Sequence, residues 1–199
     1  MKSDPDEGQE AQMETIECVK SRRTIRSFKP DPIPQSVLDA MFEAAMWAPS
    51  PANAQPWDFF VVGPVARAKI LALFKIKGQE FLADPECPAP RRKAIESLMA
   101  DFGGAPYMVA VVCRPGAEPM LQHENALSVA TAVQNLCLAA WAHDVGSIWL
   151  SVGAAPPVRP ILGVPEGASV VALLALGYPE AVPPALPRED YRTHVKQVP

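Results

Sequence analysis

The sequence has little that commits a chain to metal, nucleic acid or membrane. Its 199 residues include four cysteines and three histidines. Cys18, Cys87, Cys113 and Cys137 lie far apart with no C-x-x-C pair, and His123, His143 and His194 show no ligand spacing. A metal site is therefore not expected. Cys113 and Cys137 stand inside apolar runs and read as buried thiols, and a reducing cytoplasm suits all four. Positive charge is not in excess: the net charge is −4, which argues against nucleic-acid and anionic-membrane partners. No apolar run reaches the ~18–20 residues that span a bilayer. The N-terminus carries no hydrophobic signal region.

Common catalytic signatures are missing too. There is no G-x-G-x-x-G after a strand, no G-x-x-x-x-G-K-[ST], no G-x-S-x-G and no H-E-x-x-H. An enzyme with no evident catalytic side chain needs a cofactor to carry its reaction.

Proline is abundant, at 23 residues. Most stand outside the periodic segments, at 30–34, 49–56, 85–90, 156–165 and 179–187, where they stiffen loops. The most informative loop is Trp47-Ala48-Pro49-Ser50-Pro51-Ala52-Asn53-Ala54-Gln55-Pro56-Trp57. Its prolines exclude helix interior and central strand, so Ser50, Asn53 and Gln55 are held in fixed relation. Two amides, each both donor and acceptor, suit a planar heterocycle. The alternative is a proline-rich connection whose amides cap neighbouring elements. Ser21-Arg22-Arg23-Thr24-Ile25-Arg26-Ser27-Phe28 is the second such stretch. Three arginines so close repel one another unless they share an anion, and a phosphate matches guanidinium forks. The alternative is a solvated basic turn.

Residues 1–12 are acidic and polar and are expected to be disordered. Residues 13–199 read as one mixed α+β domain. Periodicity predicts helices over Glu14–Ser21, Pro34–Trp47, Pro64–Phe74, Arg91–Asp101, Gln122–His143 and Pro156–Leu162. Strands are predicted at Asp58–Gly63, Pro106–Cys113, Ser147–Ser151 and Ser169–Gly177. Residues 75–90 fit a short helix followed by a loop. Gln122–His143 is apolar nearly all round, ends at Gly146, and should be buried on every face. That suits either a monomer's central helix or a dimer core. After Tyr178 an extended arm runs on with no core of its own.

The two motifs, in order, resemble the FMN-dependent nitroreductase family. The matching residues are Arg22, Arg23, Thr24, Arg26 and Phe28, then Ala48-Pro49-Ser50, Asn53, Gln55-Pro56-Trp57 and Phe59. The resemblance covers about residues 14–195. It implies a central mixed, mainly antiparallel sheet flanked by helices, in a homodimer with a domain-swapped C-terminal arm and flavin sites between subunits. It implies FMN as cofactor and NAD(P)H as electron donor. The acceptor would be an electron-poor small molecule such as a nitroaromatic or quinone, in a ping-pong reaction with hydride transfer through flavin N5. By the same resemblance Arg22, Arg23, Thr24 and Arg26 face the phosphate and the pyrimidine edge. Pro51, Asn53 and Gln55 lie along the ribityl chain and ring edge. Trp149-Leu150-Ser151 underlies the ring; the alternative for it is a plain core strand. Arg188, or Arg192 in its place, holds the phosphate. Two other functions stay open: a protein that stores or consumes FMN, as one family member does to make a vitamin B12 precursor, and a non-flavin module whose arginines bind another phosphate ligand.

Overall fold

Two strands, β2 (Tyr107–Cys113) and β4 (Ser169–Gly177), are apolar at almost every position. An antiparallel strand with one wet face alternates apolar and polar residues, so strands of this kind need cover on both faces. The computed structural model, which describes residues 14–198, provides it; the expectation for residues 1–12 lies outside the described residues. β2 and β4 pair at the centre of a four-stranded sheet of order β1-β2-β4-β3, antiparallel at every named pair. The edges are β1 (Trp57–Val61) and β3 (Gly146–Trp149).

One face buries Val109, Val111 and Leu174 against α2 (Gln35–Met46) and α5 (Pro119–Ala142), which contribute Met41, Ala45 and Leu136. The other buries Val112 and Leu173 against α3 (Pro64–Ala83), α4 (Ala89–Asp101) and α6 (Val158–Leu162), through Ile70, Leu98 and Val158. Each such side chain contributes about 1.5–3 kcal/mol through removal from water. A register shift between Val111 and Val112 keeps both strands facing the two layers. α1 (Thr15–Ser21) docks on α5, where the Trp141 indole N–H donates to Ser21 Oγ at 2.9 Å. The parallel component of the mixed sheet is an isolated bridge between Thr24 and Ser147.

Three features differ from the sequence reading. α3 does not stop at Phe74; it continues through 75–83, and α4 begins at Ala89. Gly78 is buried where the two helices meet: a Cβ there would stand 2.4 Å from Met99 Sδ. The helix tolerates the ~1 kcal/mol glycine penalty so that α3 and α4 can cross closely. Second, α5 is not buried on every face: Met120, Leu127, Thr131 and Gln134 form an exposed stripe. Third, the residue that turns the chain after α5 is Asp144, at φ 60°, and not Gly146. Gly146 opens β3 and is glycine for another reason: a Cβ there would stand 2.4 Å from Ile25 Cγ1.

Cys18, Cys113 and Cys137 are buried, and burial pushes all three thiols up in pKa. Cys87, in the α3–α4 connection, is partly exposed. A thiol reagent at neutral pH should therefore label Cys87 rapidly in the native chain and all four cysteines after denaturation. Fast labelling of Cys113 or Cys137 in native protein would contradict the packing.

Candidate active site

The arginine segment is an extended strip in which apolar anchors alternate with polar residues. Ile25 and Phe28 are 1% and 3% exposed. Thr24 bridges Ser147 of β3, and the Ile25 amide donates to the Ser147 carbonyl at 3.0 Å. Phe28 bridges Pro179, just beyond β4. The strip thus lies along the β3 edge with its anchors inward and Arg26 outward. Gly103, at φ 74°, fixes its other side: the Phe28 amide donates to the Gly103 carbonyl at 2.8 Å, and a Cβ on Gly103 would stand 2.2 Å from the Arg26 carbonyl oxygen.

The three arginines are separated. Arg23 Nη1 donates to the carbonyls of Lys20, Ser21 and Arg22, each at 2.8 Å, and so satisfies the open end of α1. Arg22 lies near Cys18 and Cys137, where its charge offsets part of the burial that raises both thiols. Arg26 reaches a cavity of about 560 Å³. Among the described residues neither Arg22 nor Arg26 forms an ion pair.

The cavity is floored by the exit from β3. The strand ends at Trp149, and Leu150 and Ser151 leave it into a single 3-10 turn, so the segment is not strand throughout. Leu150 is buried and its amide donates to the Leu173 carbonyl at 2.8 Å; Trp149 and Ser151 are exposed beside the cavity. The opposite wall comes from α3 and α4, through Phe74, Lys77, Phe81, Arg91 and Leu98. The sequence reading gave residues 75–90 a short helix and a loop and did not name these wall residues, although Phe74, Gly78 and Phe81 repeat at helical spacing.

The amide loop stands elsewhere. Ala52, Asn53 and Gln55 hold φ of 47°, 56° and 47°, in the left-handed region that non-glycine residues rarely enter. The Gln55 amide donates to Ser50 Oγ at 3.0 Å, and Gln55 Nε2 donates to Asn53 Oδ1 at 3.2 Å. That leaves the Asn53 NH₂ group and Gln55 Oε1 without a hydrogen-bond partner among the described residues, with Pro51 in the turn before them. The loop feeds β1, whereas the arginine strip borders β3. Three interstrand steps, about 14 Å, separate the two edges within one chain. Arg188 stands on an arm whose residues 181–198 are exposed throughout. Arg192 on the same arm pairs with Asp190 at 3.1 Å. The structure therefore brings Thr24, Arg26 and 149–151 together, with Arg22 and Arg23 adjoining, and keeps Pro51, Asn53, Gln55 and Arg188 apart from them.

The nitroreductase family model matches residues 19–178, from the end of α1 to the exit from β4. The chain belongs to the nitroreductase family. The NADH dehydrogenase of Thermus thermophilus is 33% identical over 184 residues, covering 79% of this chain and 83% of that one. The 5,6-dimethylbenzimidazole synthase of Rhodobacter capsulatus is 32% identical over 173 residues, covering 82% and 83%. A solved nitroreductase with bound FMN from Bacteroides fragilis superposes with a TM-score of 0.66 at 27% identity, covering 94% of this chain and all of that one.

Gly103→Ala should cost at least about 2 kcal/mol, because it adds left-handed strain to a backbone clash. Because the clash falls on the Arg26 carbonyl, the variant should also lose ligand binding at Arg26 in excess of its loss of stability. Chemical denaturation together with ligand titration checks both; a stable variant with unchanged binding would show that this glycine does not hold the strip.

Proposed function

We propose that the chain is an FMN-dependent oxidoreductase, a homodimer that takes electrons from NAD(P)H and delivers them to electron-poor small molecules such as nitroaromatics or quinones. One observation carries the reading. Two donor sets that resemble halves of one flavin site stand at opposite edges of one sheet, so a second copy of the chain is needed to bring them together.

The donor chemistry fits the cofactor. Arg22 and Arg26 offer guanidinium groups with no ion pair among the described residues, which suits a phosphate and the electron-rich edge of the pyrimidine ring. Asn53 and Gln55 present a donor and an acceptor outward, as a heterocycle edge requires. Leu150 and Leu98 supply an apolar floor and wall. When bound, FMN supplies two-electron transfer between nicotinamide and acceptor. The chain's part is to orient the ring, exclude water from it and hold positive charge beside it, which stabilises the anion formed on reduction. Thr24 orients the strip through its bridge to Ser147. Arg188 is better suited to the phosphate than Arg192, whose guanidinium already pairs with Asp190.

The apolar surface supports the dimer. Trp47 is 81% exposed beside the amide loop, and Met120 and Leu127 line the open stripe of α5. Leu186, Tyr191 and Val195 are exposed on the arm. Such exposure along one helix and one arm marks an interaction surface. Residues 13–199 act as one domain in this reading, in the cytoplasm, which suits four free thiols. No helix among the described residues is long and apolar enough to cross a membrane. A second reading, consumption of FMN without turnover of NAD(P)H, draws support from the similarity to the dimethylbenzimidazole synthase.

The deciding experiment is a visible spectrum of purified protein, before and after NADPH or NADH under nitrogen, followed by turnover with menadione. Flavin bands that bleach, with continuing turnover, are expected; bands that do not bleach support consumption or storage. Arg22→Ala and Arg26→Ala should each weaken FMN binding by roughly 1.5–3 kcal/mol. Unchanged affinity in both would remove the flavin role from the strip.

Mixing tests the two-chain site. Arg26→Ala and the double variant Asn53→Ala/Gln55→Ala should each be poorly active alone. Refolded together, half the dimers are mixed, and each mixed dimer has one intact site, so about a quarter of wild-type activity should return. No recovery would place the whole site in one chain.

A further inference from the structure

Apart from Leu98, the wall that α3 and α4 give to the cavity is not used by the flavin assignment, and its composition is one-sided. It presents two aromatic rings, Phe74 and Phe81, and two cations, Lys77 and Arg91; among the described residues no acidic side chain lines the cavity. The Arg91 guanidinium carbon stands 5.2 Å from the Phe81 ring centre, and Lys77 Nζ stands 5.9 Å from it. Lys77 also pairs with Glu80 on its own helix. Arg91 makes no ion pair among the described residues.

This arrangement is held in place. The neighbouring Arg92 donates to the Leu82 carbonyl at 2.8 Å and the Asp84 carbonyl at 3.1 Å, tying the end of α3 to the start of α4. Phe74 leans on buried Phe102 with ring centres 5.8 Å apart. The first turn of α4 has no acidic residue and no side-chain cap, so its positive end adds to the two cations. Both cations are exposed at the cavity rim, Lys77 with 64% of its side chain open, so water and salt screen them in part.

We propose that the cavity selects acceptors in which an aromatic ring carries an anionic group, a carboxylate or sulfonate. The proposal rests on the oxidoreductase reading. The ring lies against Phe74 and Phe81, and the anion faces Arg91, with Lys77 contributing. For a nitroaromatic the balanced step is Ar–NO₂ + NAD(P)H + H⁺ → Ar–NO + NAD(P)⁺ + H₂O. One N–O bond breaks, two electrons come from the nucleotide, and the oxygen leaves as water; the carboxylate takes no part in the chemistry and serves recognition alone. A neutral nitroaromatic gains the ring contact and nothing from the cations. A nucleotide phosphate offers the same anionic chemistry, so the test separates the two sources.

The experiment is calorimetric titration of the FMN-loaded protein with 4-nitrobenzoate and with its neutral isostere 4-nitrobenzamide, repeated on Arg91→Gln and Lys77→Gln. Steady-state KM values for both acceptors, and for NADPH and NADH, accompany it. The wild-type chain should bind the benzoate about tenfold more tightly than the amide, as one charge-assisted contact provides. Arg91→Gln should bring the two within about threefold while the amide still binds, which also shows that the variant is folded. Equal affinities in the wild type, or a ratio unmoved by Arg91→Gln, would overturn the proposal. An unmoved ratio with a raised KM for NADPH but not NADH would assign the cation to the nucleotide phosphate instead. A protein that takes up no FMN would sink the oxidoreductase reading separately, and the same titration on that protein would still decide the charge preference of the cavity.

Discussion

The fit of the 24–28 strip into the sheet edge is the constraint on which the site depends. Ile25 and Phe28 are driven into the core, and that alone decides where the arginines can go. The strip is then clamped three times: by β3 at Ser147, by the exit from β4 at Pro179, and by Gly103 after α4. Two glycines mark the closeness of the fit. Gly146 leaves room for Ile25, and Gly103 leaves room for the Arg26 carbonyl. A charged segment is thus positioned by apolar anchors and backbone bonds, so its guanidinium groups need not organise themselves. This is the economical route to a binding site, because positions fixed by packing lose little further entropy when ligand arrives.

The same clamp keeps the two motifs apart within one chain. The strip holds the β3 edge, and the amide loop, stiffened by proline and by three residues at positive φ, holds the β1 edge. Neither can migrate across a sheet packed on both faces. The surplus of each edge is therefore directed outward, along with an apolar stripe on α5 and an arm without local cover.

Much of this was legible in the sequence. β4 was read with its observed bounds, because SVVALLALG is apolar throughout and closed by glycine. The arginine and amide motifs were found because residue type, order and spacing all carry chemistry. What was not legible depended on tertiary contact. α3 looked finished at Phe74, since lysine, glycine and glutamate then interrupt its apolar pattern; only packing against Met99 shows why Gly78 belongs inside a helix. α5 looked apolar all round, yet composition cannot show which face another element will leave open. Gly146 was taken as a helix stop because glycine usually is one; Asp144 makes the turn, and the glycine answers to Ile25. Arg23 looked like an anion ligand by its neighbours, and only coordinates show its Nη1 turned back to three carbonyls of its own turn.

These two kinds of legibility follow a division of labour. The donors assigned to the cofactor come from the strip and loop bordering the sheet, where register and core packing fix each position to within a fraction of a side chain. The opposite wall of the cavity comes from α3 and α4, which touch the sheet through a few residues such as Ile70 and Leu98 and turn Lys77, Phe81 and Arg91 to the cavity. Lys77, Phe81 and Arg91 contact one another and not the strip, so a change at any of them leaves the strip in place. A change at Ile25 or Gly103 cannot be confined in that way, since it shifts the strip itself. The strip is therefore tied to the stability of the fold, whereas the cavity wall stands on a pair of helices that the core constrains on one side only.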